Sequence, residues 1–290
     1  MHWLTLSLIC AFALATSDAA AKHWLRQAGA RELVVIRLGL SGLLLMPLAL
    51  TFELQPMPVE FWAWIGVLLP LELVAMLLYV TAIRDHPLAL TVPYLAFTPV
   101  LVVLTGWLVL DETVSPRGFV GVLLVVLGSW LLNFEQADRL TLTTLAAPFR
   151  AILDNRGARL MLAAASIYAV TSVGGKAAMT WMPPEQFGAF YFALLGIMTL
   201  VFVGLTRPSA LRVGRFGWLP LLIVAGFMAG MVVTHFLALA KVEAAYMIAA
   251  KRASLLFGML YGAMLFGERH LGRHLLAGGL MVAGVAAIAL

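Results

Sequence analysis

The sequence predicts an all-α integral membrane protein with ten transmembrane helices, arranged as two inverted repeats of five helices each. Three observations support this fold class. Of the 290 residues, 63% are hydrophobic and only 11% are charged, which is more apolar material than the interior of a soluble fold accommodates. The chain also contains ten apolar stretches of about 20 residues, the length that crosses a bilayer. Finally, the second half of the sequence repeats the first.

The predicted spans are separated mostly by short loops. They cover residues 3–21, 33–51, 61–83, 87–110, 117–134, 159–179, 186–205, 216–239, 244–266 and 272–290. The longest connection, residues 135–158, is polar and carries charges of both signs. We therefore interpret it as the boundary between a first repeat, residues 1–134, and a second repeat, residues 159–290.

The first span also resembles a cleavable secretory signal, because its apolar core is followed by small residues. Two observations favour a retained helix. Only His2 precedes the core, so a basic leading segment is missing. Shifted by 154 residues, LSLICAFALATSDAAAKHW aligns with LMLAAASIYAVTSVGGKAA, which places Lys22 on Lys176. A segment that recurs in mid-chain is expected to be part of the fold.

The repeat continues through the fourth and fifth spans of each half. Shifted by 156 residues, Glu112 aligns with Glu268, and Arg117 aligns with Arg273. Because each repeat has an odd number of spans, the second repeat enters the membrane from the opposite side. Inverted repeats of this kind are typical of secondary transporters, whose binding site lies near the midplane where the repeats meet.

Both repeats end in a similar motif, "LVLDETVSPRGFVGVLLVVLG" and "AMLFGERHLGRHLLAGGLMVAG". In each repeat, a span ends in a three-residue pattern of Leu or Phe, then any residue, then Glu. A Gly-rich last helix follows. The pattern resembles the EamA-type domain of the drug/metabolite transporter superfamily, duplicated over essentially the whole chain. The resemblance implies a ten-helix carrier or exporter of small metabolites in a bacterial inner membrane. It also implies a central cavity between the third, fourth, eighth and ninth helices, with help from the first and sixth.

The resemblance extends to one proline and fails at its counterpart. Pro99 follows the family's habit of a proline midway along the fourth helix, and we assign it a structural role. The equivalent residue in the ninth helix is Leu255, which is preceded by Lys251 and Arg252.

Lys251 and Arg252 lie well inside the apolar stretch 244–266. Each costs about 2.5–3.5 kcal/mol at the centre of a span, so such residues face protein or water and mark a pathway. The helical face of Lys251 includes Ser254 and Tyr261, which suits a cavity. Successive helical residues point about 100° apart. We therefore predict that Lys251 attracts an anionic or zwitterionic cargo and that Arg252 makes a structural contact. The alternative for Lys251 is that its stem reaches the membrane interface.

Glu72 lies at the centre of the predicted third helix. A carboxyl group there either stays protonated or has a cation nearby. We predict a role in proton coupling or substrate binding. The alternative is a buried ion pair with Lys251 or Arg252 that fixes helix packing.

Several aromatic side chains are candidates for the cavity wall. His235 and Tyr79 occupy equivalent positions of the two repeats and are predicted to bind cargo or protons, with helix packing as the alternative. Tyr94 is a further candidate for substrate binding. The wider set of possible lining residues is Trp64, Tyr94, Tyr168, Tyr191 and Tyr246, although anchoring at the membrane interface explains many such aromatics.

Glu112 and Glu268 end the fourth and ninth spans, and we predict structural roles at the helix ends, with Arg117 as the partner of Glu112.

Pro70 and Gly226, which occupy equivalent positions, are helix breakers and point to a transport site beside them. Glycines four residues apart, at 226 and 230 and at 258 and 262, are predicted to pack helices closely.

The remaining predictions concern partners and function classes. Enzyme motifs are absent from the sequence, a metal site at His270 and His274 is disfavoured, and no cofactor is expected. The scattered charges also argue against nucleic acid. Expected partners are a small-molecule substrate, membrane lipids and protons as the coupling ion, with a monomer or homodimer as the assembly. The alternatives to a carrier are a subunit of a lipid-carrier flippase and an intramembrane enzyme or scaffold.

The loop charges predict that both termini face outward, because basic residues collect on the cytoplasmic side. Loops after the odd-numbered predicted helices hold 13 basic residues, whereas the opposite side holds only Arg117 and Lys241. The family resemblance implies the opposite orientation. A reporter that fluoresces only in the cytoplasm, fused to the C-terminus, should stay dark, and strong fluorescence would contradict the charge rule here.

Overall fold

The computed structural model describes residues 1–52, 56–86, 91–132, 155–266 and 271–290. Over these ranges the chain is helical. The helices are α1 (Trp3–Trp24), α2 (Ala30–Leu50), α3 (Val59–Asp85), α4 (Val92–Leu95), α5 (Thr98–Leu110), α6 (Pro116–Leu132), α7 (Arg156–Ala178), α8 (Pro184–Thr206), α9 (Trp218–Leu239), α10 (Ala244–Lys251), α11 (Ser254–Phe266) and α12 (Leu271–Ala289). The all-helical fold class is therefore confirmed for the part of the chain that is described.

Six helices are long and apolar enough to cross a membrane, namely α1, α2, α3, α7, α8 and α9. The other four predicted spans correspond to shorter helices: α4 with α5, then α6, α10 with α11, and α12. The count of ten crossings accordingly stays a prediction.

Two predicted spans are interrupted. α4 is a single turn that ends at Leu95, and Ala96 and Phe97 separate it from α5, whereas α10 and α11 are separated by Arg252 and Ala253. The repeat shift of 156 residues superimposes the two interruptions. Discontinuous helices at matching positions of inverted repeats commonly form transporter binding sites.

The two interruptions have different local causes. Pro99 stands in the first turn of α5, where a proline is well accommodated but prevents the preceding helix from continuing. The second interruption is a tight turn, in which the Arg252 and Ala253 N–H groups each donate to the carbonyl three residues back, both at 3.0 Å. Sequence analysis assigned helix-breaking character to Pro70 and Gly226 instead. That assignment is wrong, because α3 and α9 continue through those residues.

Helix pairing follows the internal symmetry. The most extensive contacts join α1 to α9, α3 to α7, α2 to α8 and α6 to α12. Exchanging the two repeats converts the first pair into the second and maps each of the other two onto itself. This pairing is what two inverted five-helix repeats produce when they pack around one pseudo-two-fold axis.

Close packing on this axis depends on glycines. Gly42 on α2 and Gly196 on α8 occupy equivalent positions, and a Cβ atom added to Gly42 would lie 2.7 Å from the Gly196 Cα. By contrast, a Cβ atom at Gly226, Gly230 or Gly258 would meet nothing within 4 Å. The prediction of close helix packing at those three glycines is wrong, since they have open space beside them.

We expect Gly42→Val to destabilise the protein strongly, because the valine side chain would overlap the α8 backbone. Overpacking of this kind costs about 1–3 kcal/mol and occasionally more. Thermal unfolding in detergent should show a clear drop in Tm. The matched control is Gly230→Val on α9, where the space is open, and an equal loss in both variants would contradict the packing argument.

Candidate functional site

A cavity of about 180 Å³ lies between the two repeats. One water occupies about 10–15 Å³ of such volume, so the cavity holds about a dozen waters or a small molecule of similar size. Its wall is built from α1, α2, α3, α7, α8 and α9 together with the ends that flank both helix interruptions, where Leu95, Thr98, Lys251, Arg252 and Ser254 lie. Much of the rest is apolar, including Met76, Met228, Phe192 and Phe236.

Charged side chains of both signs line this apolar cavity. Three are cationic, Arg37, Lys251 and Arg252, and two are acidic, Asp18 and Glu72. With both acids ionised and the lining His235 neutral, these groups carry a net charge of +1. A buried surplus of positive charge favours an anionic ligand, because the desolvated cations interact strongly with it.

Arg37 projects from the π-helical segment Val35–Leu40 within α2, and π-helical turns are frequent at functional sites. Its side chain is 4% exposed and forms an ion pair with Asp18 on α1. The guanidinium carbon also lies 5.9 Å from the centre of the Tyr79 ring. The Nε atom is buried and has no hydrogen-bond partner among the described residues. Arg37 therefore retains a free donor although it is paired.

Lys251, the last residue of α10, lies beside His235 on α9, with 3.4 Å between Lys251 Nζ and His235 Nδ1. A lysine ammonium can only donate, so this contact requires an unprotonated Nδ1 and a proton on Nε2 if the ring is neutral. Lys251 also interacts electrostatically with Glu72, although no ion pair within 4 Å joins them in the described structure. Glu72 lies beside Thr171 on α7.

Arg252 lies in the turn between α10 and α11. It interacts electrostatically with Tyr79 on α3 and Tyr168 on α7. The structural role expected for Arg252 from the sequence stays a prediction. However, Arg252 also lines the cavity together with Lys251, so the prediction that the two cations face different surroundings is wrong. The spacing of about 100° per residue holds only within a continuous helix, and the helix ends between them.

A second polar cluster joins the two repeats at the far end of α5. The Glu112 carboxylate accepts a hydrogen bond from Lys176 Nζ at 2.5 Å and one from the Ala244 backbone N–H at 2.9 Å. Lys176 also donates to the Val242 carbonyl at 2.5 Å. Glu112 thus binds the end of α7 and the first turn of α10. The positive end of the α10 helix dipole also stabilises a carboxylate at this position. Its partner is Lys176, whereas sequence analysis expected Arg117.

Backbone geometry directs Glu112 into this cluster. Asp111, directly after α5, adopts a left-handed conformation with φ 53°. The Glu112 N–H then donates to the Gly106 carbonyl at 3.2 Å, so the chain folds back over the last turn of α5. The sharp turn carries the carboxylate back toward α7 and α10.

Comparison with known proteins identifies the family. The model of the EamA-like transporter family matches residues 1–134 and 155–290. The chain belongs to the EamA-like transporter family. A solved structure, titled only as a crystal structure of a protein, is similar with a TM-score of 0.73 and 19% sequence identity, over 98% of this chain and 95% of that one. At that identity the likeness shows the fold alone. A comparison with curated proteins gave no match.

In this EamA-like transporter, most of the residues that sequence analysis proposed for substrate binding lie in one cavity. The lining set includes Lys251, Glu72, His235, Tyr79 and Ser254. Tyr94 is buried in a separate cluster with Ala82, Ala158 and Met161, and it is not among the lining residues. Glu268, for which a structural role was predicted, lies outside the described residues.

Other aromatic candidates divide between the cavity and the packing around it. Tyr168 and Tyr191 line the cavity, and the Tyr191 hydroxyl is buried without a hydrogen-bond partner among the described residues. Tyr246 instead accepts a hydrogen bond from the Ser115 backbone N–H at 3.0 Å. Trp64 packs against the hydrophobic core.

The site residues predicted from the sequence of this EamA-like transporter did not include Arg37. A signal was present, because Arg37 is a charged residue within the apolar stretch 33–51 and intramembrane charges mark functional sites by default. Within the described residues, the structure brings together no group of three or more His, Cys, Asp or Glu side chains that could hold a metal ion.

Proposed function

We propose that the protein is a secondary transporter that moves a small anionic or zwitterionic metabolite across the bacterial inner membrane by alternating access. One observation carries the proposal: a charged cavity lies where the helix interruptions of the two repeats meet. Secondary transporters bind cargo at such places and expose it alternately to the two sides. Lys251 supplies positive charge that attracts the cargo, and Glu72, His235, Tyr79 and Ser254 provide polar contacts.

The size of the cavity supports a small metabolite over a lipid carrier. Its volume of about 180 Å³ suits about a dozen non-hydrogen atoms, far fewer than a lipid-linked saccharide contains. Nucleotide-binding motifs are absent from the sequence, so the driving force is an ion gradient or exchange of substrates.

Reconstitution into liposomes tests this proposal. Purified protein should give counterflow of a tracer metabolite without ATP, after a thermal-shift screen has identified a compound that raises Tm through binding to the folded state. Uptake that depends on ATP, or translocation of a fluorescent lipid without metabolite transport, would refute the proposal. Empty liposomes made in parallel measure passive leakage.

Glu72 is proposed as the proton-coupling group, because it lies in the cavity beside Thr171 and within electrostatic range of Lys251. We expect Glu72→Gln to remove the pH dependence of transport while the protein still inserts and folds, since Gln keeps the shape and hydrogen-bonding capacity of a protonated Glu. The measurement is the initial transport rate over a pH series. Glu60→Gln, an exposed position in the first turn of the same helix, is the matched control. An unchanged pH profile for Glu72→Gln would exclude the coupling role.

A further inference from the structure

We propose that the cargo is an organic monoanion, and that its carboxylate binds between Arg37 and Arg252 beside the Tyr79 and Tyr168 rings. This inference depends on the transport function proposed above and names the chemistry that the cavity selects. Lys251 then contributes positive charge from the same cavity, whereas the two arginines make the direct contacts with the anion.

Each of the two guanidinium groups has a donor that is not used within the protein. The Nε atoms of both Arg37 and Arg252 are buried and have no hydrogen-bond partner among the described residues. A buried donor without a partner destabilises the empty site, and a charged one does so more strongly. We expect the cargo to accept hydrogen bonds from both of these donors when it binds in the cavity.

Both arginines interact with the same pair of tyrosines. The Tyr79 and Tyr168 ring centres are 6.5 Å apart. Arg37 lies over the Tyr79 ring and interacts with Tyr168, and Arg252 interacts with both hydroxyls. Asp18 neutralises Arg37, whereas no carboxylate lies within 4 Å of the Arg252 guanidinium among the described residues. A carboxylate between them would compensate the unpaired charge of Arg252 and match the planar fork of a guanidinium.

The helix interruptions also favour an anion in the cavity. α5 begins at Thr98 and α11 begins at Ser254, each helix has 13 residues, and both first residues line the cavity. The N-terminus of a helix carries about half a positive charge, which favours a nearby anion. The two repeats thus direct two positive helix ends at one place.

Charge balance selects a monoanion over other anions. With Asp18 and Glu72 ionised and His235 neutral, the lining side chains sum to +1, so in that state one negative charge makes the loaded site neutral. A phosphate monoester carries about −1.5 to −2 at neutral pH and would leave the site negative. A neutral zwitterion would leave it positive. Because methionine and phenylalanine side chains line much of the remaining wall, the rest of the cargo is apolar and of about a dozen atoms or fewer.

Thermal unfolding of the purified protein with matched probes tests the site. Sodium benzoate and sodium L-lactate should raise Tm, whereas their amides, benzamide and lactamide, should not. Phenyl phosphate should bind at least tenfold more weakly than benzoate. The proposal is overturned if neither carboxylate shifts Tm, if the amides act equally well, or if phenyl phosphate binds as tightly as benzoate.

Arg252→Gln is the decisive variant, because it removes a guanidinium without leaving a paired carboxylate behind. We expect its Kd for benzoate to rise at least tenfold. Arg37→Gln should weaken binding similarly, but it also removes the partner of Asp18, so Arg252→Gln carries the conclusion. Lys241→Gln, at an exposed lysine between α9 and α10, should leave Kd unchanged. An unchanged Kd in Arg252→Gln overturns the assignment.

Transport separates this inference from the function on which it depends. If benzoate and L-lactate bind but L-lactate gives no counterflow, the anion site stands and the carrier function is refuted. If L-lactate counterflow in Arg252→Gln has the KM of the unaltered protein, the carrier function stands and the site is overturned.

Discussion

Lys251→Ala is expected to reduce transport to the level of empty liposomes while the protein still inserts in the membrane. The change removes one of three cations that line the cavity, which lowers its net charge by one and weakens the attraction of an anion to the site. It also removes the hydrogen-bonding partner of His235 and a cation that interacts with Glu72. Initial transport rates, normalised to the amount of folded protein, measure the effect.

Lys241→Ala is the matched control, since this lysine is exposed in a turn and its loss should leave the rate unchanged. Lys251→Arg, which keeps the charge, should retain part of the activity. If Lys251→Ala transports at the parental rate, the lysine has no part in transport and the role assigned to it from the sequence is wrong.

Lys176→Ala should lower the stability of the protein more than the removal of any single exposed charge. Lys176 and Glu112 are only 20% and 14% exposed, and breaking a mostly buried ion pair costs about 3–5 kcal/mol because the remaining charge stays buried. The Glu112 carboxylate would keep only the Ala244 N–H as partner. We expect a fall in Tm of several degrees and slower transport, because this cluster joins the two repeats.

Arg117→Ala provides the comparison, because Arg117 is exposed and was the partner that the sequence suggested for Glu112. Its replacement should leave Tm within error. A larger loss of stability in Arg117→Ala than in Lys176→Ala would show that the contact between the repeats is not the one described here.

Much of the architecture could be predicted because its causes are local or repeated. Apolar stretches of bilayer length locate the helices, and the duplication implies the inverted pairing that the helix contacts show. The interruption before Pro99 also has a local cause, the missing proline N–H. The second interruption does not, since the apolar stretch 244–266 contains no proline or other obvious breaker at Arg252. Only alignment with the first repeat could have located it.

The site was harder to predict than the fold because its contacts join residues far apart in the sequence. Lys251 and Glu72 could be recognised individually, since each is a charge inside an apolar stretch. The pairing of Arg37 with Asp18 depends on how α2 packs against α1, which helical periodicity cannot give. Glu112 could be recognised as structural, but its partner Lys176 lies 64 residues away on a helix of the other repeat.

The single cysteine of this protein has a practical consequence for following its movement. Cys10, on α1, is the only cysteine in the sequence, and its side chain is fully buried. A maleimide dye will therefore not label the unaltered, folded protein. Cysteines introduced at exposed positions such as Arg117 or Lys241 become unique attachment points without further mutation. Pairs of dyes placed there could report distances across the protein as cargo is added.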